Sequence, residues 1–116
     1  MKVVAVVRDL FFVARIRETA RLVGTALTFA RTPAEITAAL DTGTPTFAIL
    51  DLTTNGWDYD AIFAALAAAP DLPVLGFTTH ALARATQPLH ARCRRVVTKE
   101  TLTQELPALL QHGLAA

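Results

Sequence analysis

Several polar residues stand at the ends of short apolar runs, and their types could do chemistry. Arg8 and Asp9 follow Lys2–Val7, Asp51 lies near the end of Phe47–Leu52, Thr78 and Thr79 follow Val74–Phe77, and Lys99 follows Arg95–Thr98. Carboxylates, hydroxyls and an ammonium gathered in one place can hold a divalent cation, present a nucleophilic carboxylate and donate hydrogen bonds to a phosphoryl group. Lys99 carries extra weight because the chain prefers arginine: of 11 basic residues only Lys2 and Lys99 are lysine. A compact point charge reaching one phosphoryl oxygen is a lysine task. Each residue also has a plainer use. Asp9 suits a helix N-cap, Thr78 a strand-end hydroxyl, and Asp51 an ion pair with Arg8.

The surrounding pattern says what must position these side chains. Lys2–Val7 and Phe47–Leu52 are apolar on both faces, as central parallel strands are. Thr25–Ala30, Val74–Phe77 and Arg95–Thr98 complete five predicted strands. Between them, Asp9 heads a helix to about Val23, closed by Gly24, with Phe12, Ile16 and Ala20 on one face. Thr32-Pro-Ala-Glu35 is a capping box that predicts a helix to Leu40. Asp58–Ala69 and Thr79–Ala91 read as helices, although Pro88 weakens the second. A last helix runs to about Gly113, its regular part starting near Thr103 so that Pro107 falls in the first turn. Five strands alternating with five helices predict an α/β domain over residues 1–116: a flavodoxin-like, doubly wound parallel sheet in order 2-1-3-4-5. In such a sheet the crevice lies beyond the carboxyl ends of the strands, where the polar residues stand.

Composition narrows the field. The formal charge of +1 argues against nucleic acid as the main partner. The longest apolar run, Ala61–Ala69, is nine residues, against the ~20 that a bilayer needs. No secretory signal is visible, and the single cysteine, Cys93, forms no internal disulfide, so a cytoplasmic protein is expected. Arginines around Cys93 could activate its thiol; the plainer reading is a small buried side chain before a strand. His80, His90 and His112 are too scattered for a metal cluster and read as exposed. Arg92, Arg94 and Arg95 read as a solvated face, and Trp57 and Tyr59 as packing over the adjacent helix or as a partner contact. No glycine-rich phosphate loop or nucleophile elbow is present.

Four segments in order carry a resemblance to the receiver domains of bacterial response regulators. Val6-Val-Arg-Asp9 is similar to the acidic turn after the first strand. Phe47-Ala-Ile-Leu-Asp-Leu52, with Thr53-Thr-Asn-Gly-Trp-Asp58, resembles the phosphoacceptor strand and its loop. Leu72-Pro-Val-Leu-Gly-Phe-Thr78 resembles the strand ending in a phosphate-binding hydroxyl, and Val96-Val-Thr-Lys99 the strand ending in a lysine. The resemblance implies that Asp51 accepts the phosphoryl group and that Asp9, Asp51 and the Thr53 main-chain carbonyl hold Mg²⁺. It implies that Thr78 and Lys99 contact the phosphoryl oxygens. Four positions depart from the family. Arg8 stands where another acid is usual and could pair with Asp51 in place of the cation. Val96 stands where a switch aromatic is usual, Glu100 replaces a proline and sets a carboxylate near Lys99, and Asn55 replaces a loop proline.

The function implied is a single-domain signalling protein, not an enzyme, that takes a phosphoryl group from a sensor histidine kinase in a two-component phosphorelay. The alternative is a pseudo-receiver, a phosphorylation-independent interaction module in which Arg8 replaces the cation. A homodimer through the fourth and fifth βα units is a further expectation. With the core using the whole chain, the signal is expected to leave through a surface rather than through an appended output domain.

Overall fold

The computed structural model describes residues 1–114. Five strands, β1 (Lys2–Val6), β2 (Ala26–Phe29), β3 (Phe47–Asp51), β4 (Val74–Thr78) and β5 (Arg95–Thr98), alternate with α1 (Leu10–Val23), α2 (Pro33–Asp41), α3 (Tyr59–Leu66), α4 (Gln87–His90) and α5 (Lys99–His112). The strands are parallel, in the predicted order β2-β1-β3-β4-β5.

β3 and β4 are buried at every residue because helices cover both faces of the sheet. Alternation along each strand divides the core. Val3, Ala5, Phe47, Ile49, Leu75 and Phe77 pack with Phe12 and Ile16 of α1 and Leu102, Leu106 and Leu110 of α5. Val4, Val6, Ala48, Leu50 and Val74 pack with Ile36 of α2 and Ile62 and Leu66 of α3. Fully burying one such side chain contributes ~1.5–3 kcal/mol over leaving it exposed, so the two-sided core is the main stabilising term.

Helix starts follow the predicted caps. Asp9 Oδ1 accepts from the Phe11 and Phe12 amides, Thr32 from Glu35 and Asp58 from Ala61. At the opposite edge of the sheet the Lys2 ammonium donates to Ala39 O (3.0 Å), Thr42 Oγ1 (2.7 Å) and Gly43 O (2.8 Å), closing the end of α2. Gly24, at φ 76°, ends α1 in the left-handed region that favours glycine.

Three helix boundaries differ from those expected. α3 stops at Leu66, and 67–69 are turns. The predicted helix over Thr79–Ala91 shrinks to Gln87–His90. Residues 80–86 turn on short-range bonds such as Leu82 N to Thr79 O and Gln87 N to Arg84 O. Leu82 is their one large aliphatic residue and it is 40% exposed, so a regular helix there has little face to bury. Pro88, without an amide proton, lies in the first turn, which fixes where a helix can begin. In contrast, α5 begins at Lys99, four residues before the expected start, and Pro107 lies inside it. An interior proline costs about 3 kcal/mol. Burial of Leu102, Leu106, Leu109 and Leu110 more than offsets that, and Thr98 caps the new start through the Thr101 amide.

No helix among the described residues is long and apolar enough to cross a membrane.

Candidate functional site

The register sets Asp51 beside Phe77 and Thr78 beside Thr98, so strand ends from β1, β3, β4 and β5 share one edge. Arg8, Asp9, Asp51, Thr53, Thr54 and Asn55 line an open cleft there. Of the residues singled out in the sequence, Asp9, Asp51 and Thr53 therefore meet, with Arg8 beside them. Thr78 and Lys99 stand outside the cleft lining.

Asp51 is only 6% exposed, at the end of a fully buried strand. Its Oδ1 accepts from Thr53 N (2.8 Å) and Thr53 Oγ1 (2.6 Å), which fixes the carboxylate plane. Arg8 does not pair with it, contrary to the sequence expectation. The Arg8 guanidinium donates to the Asn55 carbonyl (3.3 Å) and lies 6.0 Å from the Trp57 ring, because the loop after β3 gives it an acceptor and an aromatic face.

Asp9 serves two partners. One oxygen caps α1, and the other accepts from the Lys99 ammonium at 3.2 Å. Burial alone would raise its pKa, but the Lys99 hydrogen bond, the Phe12 and Phe11 amides and the Lys99 charge together hold it below the ordinary carboxylate value of 3.8. Lys99 also sits 4.8 Å from the centre of the Phe12 ring, which packs 5.0 Å from Phe77. Glu100, exposed in the first turn of α5, does not compete for Lys99: the ammonium pairs with Asp9. Thr78, 3% exposed, is hydrogen-bonded to Thr86 Oγ1 at 3.0 Å. Val96, opposite Gly76, packs on the α2 and α3 side of the sheet.

Two residues have roles in the site that the sequence does not show, although Tyr59 reads there as packing over the adjacent helix or as a partner contact. Tyr59 donates to the main-chain oxygen of Asp51 (2.7 Å) and accepts from Thr54 N (3.0 Å), so it clamps the loop that carries the Thr53 carbonyl. Burial, with the Asp51 charge adding, pushes its phenol above 10.0 despite the Thr54 bond; it stays a donor at neutral pH. Thr86 is the other, since only the folded chain brings it to Thr78. His90, expected to be exposed, is half-buried with Nε2 at 2.9 Å from Thr86 Oγ1.

The remaining candidates have structural roles. Burial raises the Cys93 thiol to about 11, its Sγ turned to Leu89 O at 3.7 Å. Arg92 pairs with Asp60 and Arg95 with Glu105. Trp57 packs edge-on to Tyr59 with ring centres 6.1 Å apart.

For a cation, the cleft offers two carboxylates and a main-chain oxygen. That donor set suits Mg²⁺, which takes one or two carboxylates and keeps several waters. The charges of Arg8, Asp9, Asp51 and Lys99 sum to zero, so the edge as a whole attracts a cation weakly.

No family model and no curated protein sequence matches the chain. Solved structures do. Chemotaxis response regulator CheY4 of Vibrio cholerae, 20% identical, superposes with a TM-score of 0.74 over 97% of this chain and 98% of its own. The chain has the receiver-domain fold. A second similar structure is the receiver domain of sensor histidine kinase PA1611 from Pseudomonas aeruginosa, with magnesium coordinated in its active-site cleft. It is 17% identical, with a TM-score of 0.74 over 95% of this chain and 93% of that one. NtrX from Brucella abortus, 17% identical with a TM-score of 0.78, matches 97% of this chain, which spans 26% of NtrX.

Proposed function

We propose that this receiver fold is a signalling phosphoacceptor in a two-component phosphorelay, with Asp51 taking a phosphoryl group from a histidine kinase. The reading rests on one observation: a carboxylate 6% exposed, at the head of the cleft, has one oxygen fixed by Thr53 and, among the described residues, no basic partner. A buried carboxylate without a counter-charge is costly. Its placement fits a group kept for reaction.

In the proposed step, the Asp51 carboxylate attacks the phosphorus of a phosphohistidine. A P–O bond forms, the P–N bond breaks, and the leaving imidazole nitrogen keeps the electron pair and takes a proton from water. The two bonds from Thr53 orient the carboxylate, and Tyr59 holds the strand end so that the Thr53 carbonyl keeps its place. Asp9, Asp51 and that carbonyl would hold Mg²⁺, which when bound neutralises charge on the transferring group. Lys99 must leave Asp9 to reach phosphoryl oxygens, and Thr78 must turn its hydroxyl proton toward them while its oxygen goes on accepting from Thr86. Acetyl phosphate with Mg²⁺, followed by intact-mass spectrometry, tests the reading. A mass gain absent from Asp51→Asn is expected; no gain in the wild type sinks it.

A second reading, a phosphorylation-independent pseudo-receiver that docks a protein partner, has its own support. Arg8 already holds a place in the cleft through Asn55, and Lys99 already neutralises Asp9. Arg8→Asp separates the two. If Arg8 keeps the cation out, the substitution raises Mg²⁺ affinity by about tenfold or more, read from the fluorescence of Trp57; about 1.4 kcal/mol corresponds to that factor. Unchanged affinity counts against that role for Arg8.

A further inference from the structure

The side chain bonded to Thr78 belongs to a chain of three groups. Thr86, 6% exposed, has its hydroxyl oxygen 3.0 Å from Thr78 Oγ1 and 2.9 Å from His90 Nε2. The same oxygen lies 3.0 Å from Leu82 O and 3.3 Å from Ala83 O. One hydroxyl proton thus faces four acceptors, so the direction of each bond is set by what the neighbours do. Thr78 ends β4 at the sheet edge. His90 ends α4 and is half-buried, within reach of solvent.

The proton count couples the two ends. With nothing at the site, either hydroxyl can supply the proton of the Thr86–Thr78 bond: Thr86 can donate to Thr78, or Thr78 can donate and leave the Thr86 proton to Leu82 O or His90 Nε2. Once Thr78 donates to an anion on Asp51, its oxygen is left as an acceptor for Thr86. The Thr86 proton is then committed, and His90 stays in the chain only by donating from Nε2. A chain of this kind strengthens as its bonds align in one direction.

We propose that Thr86 is the positioning residue for Thr78, and that occupation of the Asp51 site commits His90 Nε2 to the donor role, tying α4 to the end of β4. The proposal rests on the phosphoacceptor reading, and its test is arranged so that the two fail differently. Imidazole nitrogen resonances of ¹⁵N-labelled protein would be followed with and without beryllium fluoride and Mg²⁺, a stable phosphoryl mimic. The acetyl phosphate mass assay is run on the same samples.

In the wild type and in Thr86→Ser, which keeps the hydroxyl, the His90 Nε2 signal is expected to move toward the protonated range. In Thr86→Val, and in Thr78→Val, that response is lost. A mass gain on Asp51 with an unmoved His90 nitrogen, or a normal response in Thr86→Val, overturns the proposal and leaves the phosphoacceptor reading standing. No mass gain removes that reading, and this proposal with it. If Thr86→Val fails to fold, Thr86→Ser and Thr78→Val carry the same comparison.

Discussion

At the β1–β3 half of the sheet edge, Asp51, Asp9 and Thr53 open onto a cleft, with Asp51 oriented by its own loop. At the β4–β5 half, Thr78 and Lys99 already have partners within the chain, Thr86 and Asp9. The halves differ in what a ligand would have to break. A ligand on Asp51 meets a carboxylate held only by its own loop, whereas one reaching Thr78 and Lys99 requires exchange of one hydroxyl bond and of the exposed ion pair that Lys99 makes with Asp9. Exposed pairs are worth roughly 0.2–1 kcal/mol, so Lys99 is the cheaper of the two to move. The Thr78 hydroxyl is buried and must exchange one hydrogen bond for another, a change of about 0.5–1.5 kcal/mol, while Thr86 keeps Leu82 O within reach.

Three tests break or sharpen this contrast, and the largest effect belongs to Phe12. Its ring packs on Phe77 of β4 and underlies Lys99, so it supports the second half from below. Phe12→Ala is expected to cost about 3–5 kcal/mol of stability, measured by urea unfolding. A loss below about 1 kcal/mol would mean that the core collapses around the gap and that this floor is not rigid.

Next is the packing between the halves. A Cβ at Gly76 would stand 2.8 Å from Cys93 Sγ and 2.9 Å from Leu52 Cδ1. Gly76→Ala should destabilise by about 1–3 kcal/mol, and adding Cys93→Ala should recover part of the loss. Strict additivity of the two substitutions would show that Cys93 is not the contact that matters.

The smallest effect is at Asp9, the tie between the halves. Its folded pKa is lowered, so its contribution is present above the unfolded value and is lost as pH falls through the folded one. The wild type should therefore lose a small increment of stability below about pH 4 that Asp9→Asn, which still caps the helix, does not lose. Parallel stability curves for the two proteins between about pH 6 and about pH 3 would remove the tie as an electrostatic link.

What the sequence made legible divides along the same line. Strands β1 and β3, the caps at Asp9, Thr32 and Asp58, and the meeting of Asp9 with Asp51 rest on local signals: unbroken apolar runs, cap residues and a fixed strand order. The second half depends on contacts between residues that only the fold brings together. Alanines at 81, 83 and 85 suggest a helix by composition, yet the segment has too little apolar surface to fold as one. Pro107 argued for a late start to α5, while four buried leucines decided for an early one. Tyr59 and Thr86 carry no sequence signature for their roles, since each acts through a main-chain or hydroxyl group that comes near only after folding.

The chain's two lysines sit at opposite ends of the sheet. Lys2 gives all three of its protons to fixed acceptors around the end of α2. Lys99 gives one proton to one carboxylate and rests on a ring that asks for no particular direction. The same side chain thus serves as a rivet at one edge and as a latch at the other. An amine-modifying reagent is expected to label Lys99 faster than Lys2, because one ionic bond holds the first and three hydrogen bonds hold the second.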